Sequence, residues 1–244
     1  MKYFRILVLL VLAICCSCKK EMFFDAGPEK SKKVLLESNF TYVEVGKAFH
    51  IILISDSANY LVFKGGEKLI QEVSVNLYHD SLFISHHIGG HWYKLDDPME
   101  LEIHVSSSPK FYFAAPVRVS TIDTFCSARF YMDFKSFCEI NVTVNVSECA
   151  IFAPYDSFGN FVINGKCDHA AFYASGSTLF RAENLQMQSC YVRQNSISEV
   201  YLNEPEQLSV LFCSSGNVFC KKMPQNLSIQ RQGIYSTGQV VEVK

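Results

Sequence analysis

The stretch Ser175-Gly176-Ser177-Thr178-Leu179-Phe180-Arg181 decides how the chain is read, because its Ser/Gly-rich turn and following apolar-centred strand return at a near-fixed interval. The pattern occurs again as Ser157-Phe158-Gly159 before Asn160-Phe161-Val162, as Asn195-Ser196-Ile197-Ser198 before Glu199-Val200-Tyr201, and as Ser214-Ser215-Gly216 before Asn217-Val218-Phe219. Its central residues Phe161, Phe180, Val200 and Val218 stand 19, 20 and 18 positions apart. Upstream of the last three turns, Ala171-Phe172-Tyr173, Cys190-Tyr191-Val192 and Val210-Leu211-Phe212 form a second series with centres 19 and 20 apart. Each unit therefore holds two short strands and a turn. A unit of about 20 residues cannot bury its apolar side alone, so neighbouring coils must stack to exclude water. The expectation is an all-β solenoid with like side chains piled over one another. The competing reading is a β-sandwich with evenly spaced strands.

Toward the N-terminus the same β character continues without the repeat. Tyr42-Val43-Glu44-Val45, Phe49 to Ile54 and Tyr60-Leu61-Val62-Phe63 are short β-branched and aromatic runs separated by Gly46-Lys47 and Asp56-Ser57-Ala58-Asn59, which reads as strands and turns. Val73 to Leu77 and Leu101 to Val105 alternate apolar and polar residues, so each buries one face, with Ser81 to Ser85 between them. Glu67 to Glu72, after Gly65-Gly66, is the one helix-like stretch. The predicted layout is a single domain over 35–244, with N-terminal strands over 35–115 packed on repeat coils over 116–244. Twenty Phe and twelve Tyr suit a pleated surface. With 49% hydrophobic and 19% charged residues, disorder is excluded for most of the chain.

The first residues read as an address. Lys2 and Arg5 precede the nine-residue apolar run Ile6 to Ile14, too short to span a hydrocarbon core that needs about 20. Cys15-Cys16-Ser17-Cys18 then resembles the lipobox of bacterial lipoproteins, which implies a signal peptide over 1–17 and lipidation of Cys18. Cys16 is the alternative, because Cys15 stands where a Leu-like residue is usual. Residues 18–34, charged and aperiodic with a Gly27-Pro28 pair, form a tether. The expected location is the cell envelope, as an outer-membrane lipoprotein held through its N-terminal lipid. The formal charge of −2, or −4 without Lys2 and Arg5, lacks the basic footprint of a nucleic-acid binder.

Cys213 to Pro224, followed by Gln230-Arg231-Gln232-Gly233, resembles the closing coil of the putative auto-transporter adhesin head domain, the head GIN domain. Phe40 to Val45, Ile51 to Ile54, Leu69-Ile70 and Asp80 to Ser85 resemble its N-terminal part, giving coverage of about residues 38 to 243. The resemblance implies a right-handed parallel β-helix-like solenoid of the kind found in lipoproteins and secreted proteins of Bacteroidetes. The long rigid coil faces of a solenoid suit a binding, adhesion or structural role, and the expected partner is a glycan or a protein at the cell surface.

Catalytic chemistry finds little support. His86, His87 and His91 surround Gly89-Gly90 and are the candidate metal ligands, with Asp96 or Asp97 as an oxygen donor. No second cluster is spaced to complete a site, so neither metal nor cofactor is expected. Trp92 and Tyr93 are the candidate contact pair for a glycan or protein, and a hairpin cap packed on the sheet is the alternative. Asp96-Asp97, Asp123 with Asp133, and Asp156 with Asp168 are the carboxylates a polysaccharide-active enzyme on a β-helix would have to use. None recurs at the repeat period, and nucleophile elbows and phosphate loops are absent, so a non-enzyme is expected. Cys126, Cys138, Cys149, Cys167, Cys190, Cys213 and Cys220 show no Cys-x-x-Cys spacing and read mostly as buried small hydrophobes, with one or two disulfides left open.

Overall fold

The computed structural model describes residues 26–87, 99–153 and 158–243. In chain order the strands are β1 Glu29–Leu35, β2 Tyr42–Val45, β3 His50–Ser55 and β4 Tyr60–Gly66. Helix α1 Glu67–Gln71 and strands β5 Val73–Tyr78, β6 Ser81–His86, β7 Glu100–Val105, β8 Lys110–Phe113 and β9 Val117–Thr121 follow. Next come β10 Phe125–Phe134, β11 Cys138–Phe152, β12 Phe158–Ser196, β13 Val200–Leu202, β14 Gln207–Phe212, β15 Val218–Cys220, β16 Asn226–Arg231 and β17 Val240–Glu242.

These strands wind into a β-solenoid of about six turns with a strand-rich N-terminal region, as the repeat predicts. Two parallel ladders run along its length. The first stacks β6, β2, β8, β10, β11, β12, β14 and β16. The second stacks β7, β3, β9, β11, β12, β13, β15 and β17. Strands β11 and β12 turn corners and serve both ladders. At one such corner Gly165 adopts a φ of 103°, where a side chain would collide with the Val144 carbonyl oxygen.

The repeat positions are one core column. In the second ladder Ile51 pairs with Leu101 and Val119, and Val119 and Phe161 both pair with Ile140. Phe161 stacks on Phe180 with ring centroids 4.6 Å apart, and Phe180, Val200 and Val218 continue in register. All are fully buried. Each contributes about 1.5–3 kcal/mol through removal of its apolar surface from water. The second predicted series is out of phase with the structure. Cys190 pairs with Leu208 and Val192 with Val210, which leaves Tyr191 outward opposite Ser209. Strand side chains alternate faces, so a slip of one residue exchanges core for surface.

The N-terminal strands extend the two ladders instead of forming a separate layer, and they do so out of chain order. The coil made by β2 and β3 sits between the later coil of β6 and β7 and the still later coil of β8 and β9. Beyond β6 and β7 the sheet turns antiparallel, with β5 on β6, β4 on β7 and β1 on β4. These strands and α1, whose Ile70 is buried, close that end of the core. The edge strand β1 exposes Glu29, Lys30, Lys32 and Lys33, which discourages further pairing. Among the described residues the opposite end has no such cover. Leu227 and Ile229 of β16 lie over Leu208 and Val210 yet remain 37% and 44% exposed.

The seven cysteines of the described residues are free thiols. Cys138, Cys149, Cys167, Cys190 and Cys220 are buried, and burial raises all five, Cys167 to about 12 and Cys220 to about 11. No helix among the described residues is long and apolar enough to cross a membrane.

Candidate aromatic binding face

Alternation places one residue in two of each strand on the outer surface. On the first ladder these outward positions form a continuous column: Phe83, Glu44, Tyr112, Asp133, Phe152 and Tyr173, each paired with the next. At about 4.8 Å per strand the column is about 24 Å long. A neighbouring column carries Tyr42, Lys110 and Tyr131 in consecutive register. The inward partners that fix this orientation, Val43, Phe111, Met132, Ile151 and Phe172, are all buried.

The two columns interlock. Tyr42 stacks beside Tyr112 with centroids 6.3 Å apart, Phe152 stacks on Tyr173 at 4.3 Å, and Tyr191 meets Tyr173 at 5.6 Å. Lys110 Nζ donates to Asp133 Oδ2 at 3.3 Å and lies 5.8 Å from the centre of the Phe152 ring. The Tyr42 hydroxyl donates to Glu44 Oε2 at 3.4 Å, and the Tyr131 hydroxyl donates to Glu148 Oε2. Burial, followed by the charge of Glu44, pushes Tyr42 up to about 12, and the hydrogen bond to Glu148 raises Tyr131. Both phenols therefore stay protonated at neutral pH and act as donors. The face combines half-buried rings with carboxylate, ammonium and hydroxyl tips. It can pack against the apolar side of a ligand while hydrogen-bonding its polar groups.

A second cluster lies on the outer side of the N-terminal cap. His104 donates through Nδ1 to Asp56 Oδ2 at 3.0 Å and approaches Glu102 Oε2 through Nε2 at 3.4 Å. Tyr60 stacks on its ring at 3.9 Å, donates to Asp56 Oδ2 at 2.9 Å, and is itself covered by Lys33 Nζ 3.5 Å from its centre. Lys64 bridges Glu100 at 2.9 Å and Glu102. Hydrogen bonds from Tyr60 and then His104 hold Asp56 well below the usual carboxylate range. Burial works against ionisation of Glu102, but Lys64 and His104 outweigh it and lower this group too. Every polar tip is turned on another member of the cluster, which marks it as a clasp joining β3, β4 and β7.

Of the residues predicted from sequence, His86 is 7% exposed, with its ring edge on Phe49 at 5.5 Å, and burial lowers its basicity. His87 is exposed just past the end of β6. His91, Trp92, Tyr93, Asp96, Asp97, Asp156 and Cys18 lie outside the described residues. Among the described residues no group of three or more His, Cys, Asp or Glu side chains could hold a metal ion. Asp133 is engaged by Lys110, while Asp123 is exposed and Asp168 half-buried. Sequence reasoning missed Tyr42, Tyr112, Phe152 and Tyr173. Their signal was present in Lys110-Phe111-Tyr112-Phe113, where alternation around two core phenylalanines sends Lys110 and Tyr112 outward.

Comparison with known proteins agrees with this architecture. A crystal structure of a putative adhesin from Bacteroides fragilis NCTC 9343 superposes with a TM-score of 0.71 at 14% identity, covering 88% of this chain and 97% of that one. Putative adhesins from Parabacteroides distasonis ATCC 8503 and Parabacteroides merdae ATCC 43184 superpose with TM-scores of 0.55 and 0.53 at 16% and 14% identity. Each covers 89% of this chain, and this chain covers 98% and 97% of theirs. No curated protein matches the chain. Residues 39–224 match the family described as "Putative auto-transporter adhesin, head GIN domain", and the chain belongs to that family.

Proposed function

We propose that the protein is an envelope-anchored adhesion module that presents the aromatic face of its first ladder to a glycan or protein on a cell surface. The observation that carries this reading is the outward column from Phe83 to Tyr173, in which aromatic rings alternate with or adjoin carboxylates along about 24 Å of rigid sheet. Contiguous partly exposed aromatic surface of this kind marks contact sites on folded proteins. Adhesion is consistent with the family, and the lipobox-like Cys18 supplies a means of holding the solenoid at the membrane. Attachment through more than one acyl chain gives stable membrane residence.

The test is binding of the chain from residue 26, which contains every described strand, to glycan arrays and to intact cells. A Phe152→Ser/Tyr173→Ser variant is expected to lose at least about tenfold in affinity, the scale of a contact aromatic, while its melting transition stays cooperative. Equal binding by the variant, or no binding by the parent on either surface, would overturn the proposal. Hydrolysis of a polysaccharide by the same preparation would favour the enzymatic alternative. For the anchor, radiolabelled acyl chains should enter the full chain and not its Cys18→Ala form.

A further inference from the structure

We infer that the uncovered end of the solenoid is a homotypic joint, at which β16 of one molecule pairs antiparallel with β16 of a second copy. Strand β16 is bonded along one edge to β14, and among the described residues no strand lies along the other, so that edge offers its backbone donors and acceptors to a further strand. Its inward side chains Leu227 and Ile229 cover the core on one side and are uncovered on the other. The devices that normally protect such an edge are absent. Arg231 is the one charged residue in β16, and its guanidinium turns back to the Ser236 carbonyl and lies 5.1 Å from the Phe212 ring centre. The charged edge strand β1 at the other end shows the protection that β16 lacks.

A second copy is the partner that the strand's own sequence fits. A two-fold axis through Ser228 sets Leu227 opposite Ile229, Asn226 opposite Gln230 and Gln225 opposite Arg231, with no like charges facing each other. Moving the axis by half a residue sets Leu227 opposite Gln230, and moving it by a whole residue sets Leu227 opposite Arg231 or Ile229 opposite Gln225. The Ser228 axis is thus the one among these that carries both apolar side chains across the joint and continues the core column from one molecule into the other. Ile234 and Tyr235, 85% and 75% exposed in the loop just after β16, supply further apolar contact at the rim. A joint of one strand pair and a rim lies at the small end of interface sizes, so the complex is a weak one.

The chain from residue 26 is tested in a Cys126→Ser/Cys213→Ser background, which removes the exposed and the half-buried native thiol. Sedimentation equilibrium should show a reversible dimer in the micromolar range. Mild oxidation should cross-link Ser228→Cys, because directly opposed residues of an antiparallel pair lie about 4.5–5.5 Å apart between Cα atoms, within disulfide reach. Ser209→Cys, one layer inside on the same face, should not cross-link. Ile229→Lys should weaken association at least tenfold with the melting transition retained. If that variant fails to fold, the pair of cysteine variants still decides. A parent that stays monomeric to about 1 mM, well above a micromolar constant, would overturn the inference. So would a dimer in which position 228 cross-links no faster than position 209.

Discussion

Gly165 shows how tightly neighbouring coils constrain single residues. Its φ of 103° is one that L side chains rarely adopt, and a Cβ there would stand 2.1 Å from the Val144 oxygen of the adjacent coil. Gly165→Ala should therefore cost more than about 2 kcal/mol, combining backbone strain with displacement of a ladder strand, as read by urea titration. The thiols give a second residue-scale test. Burial keeps Cys138, Cys149, Cys167, Cys190 and Cys220 protonated, whereas Cys126 is exposed and Cys213 half-buried. In the chain from residue 26, a thiol reagent at pH 8 should modify Cys126 and Cys213 in the native state and all seven cysteines only after denaturation. That most of them are small core residues was legible in sequence, because none shows metal-ligand spacing and several, such as Cys190 in Cys190-Tyr191-Val192, sit in apolar or aromatic stretches. The fate of Tyr191 was not, since one position of phase decides its face and the second series carried no marker of that phase.

At the scale of the element, the column Phe161, Phe180, Val200, Val218 was the clearest message in the sequence because each member follows a Ser/Gly-rich corner that resets the register. Phe180 packs on Phe161 at 4.6 Å and on Phe172 at 5.3 Å, so it ties the two ladders together. Phe180→Ala should destabilise by about 3–5 kcal/mol through lost burial and the cavity left behind. The aromatic face was harder to see, because it is assembled from strands as distant in sequence as β2 and β12, and nothing local says that their outer positions share a column. The clasp around His104 was equally hidden and makes a pH prediction. Asp56 and Glu102 titrate below their ordinary range when folded. Their contribution is fully present above the unfolded carboxylate values near 4 and is lost as pH falls through and below them. The melting temperature should drop on acidification below about pH 4, and Asp56→Asn should flatten that drop.

For the whole molecule, what matters is that coil order and chain order part company at the N-terminal end. From β10 onward each coil rests on its immediate predecessor, but the coil of β2 and β3 is held between two that follow it in sequence. A chain ending at residue 221 should keep a cooperative melt at lower temperature, since it loses only the last layer. A chain starting at residue 56, which lacks that inner coil, should not fold, as judged by near-ultraviolet circular dichroism. The inversion was invisible in the sequence because the N-terminal strands carry no repeat to number them. It also alters how the protein meets tension. Were the coils laid down in chain order, pulling at the N-terminal end would unzip them one after another at low force. With its second layer clamped between later ones, the fold must instead shear several strands along their length together. If the proposed anchor at Cys18 holds the molecule, a mechanical lock stands next to the point where the load enters.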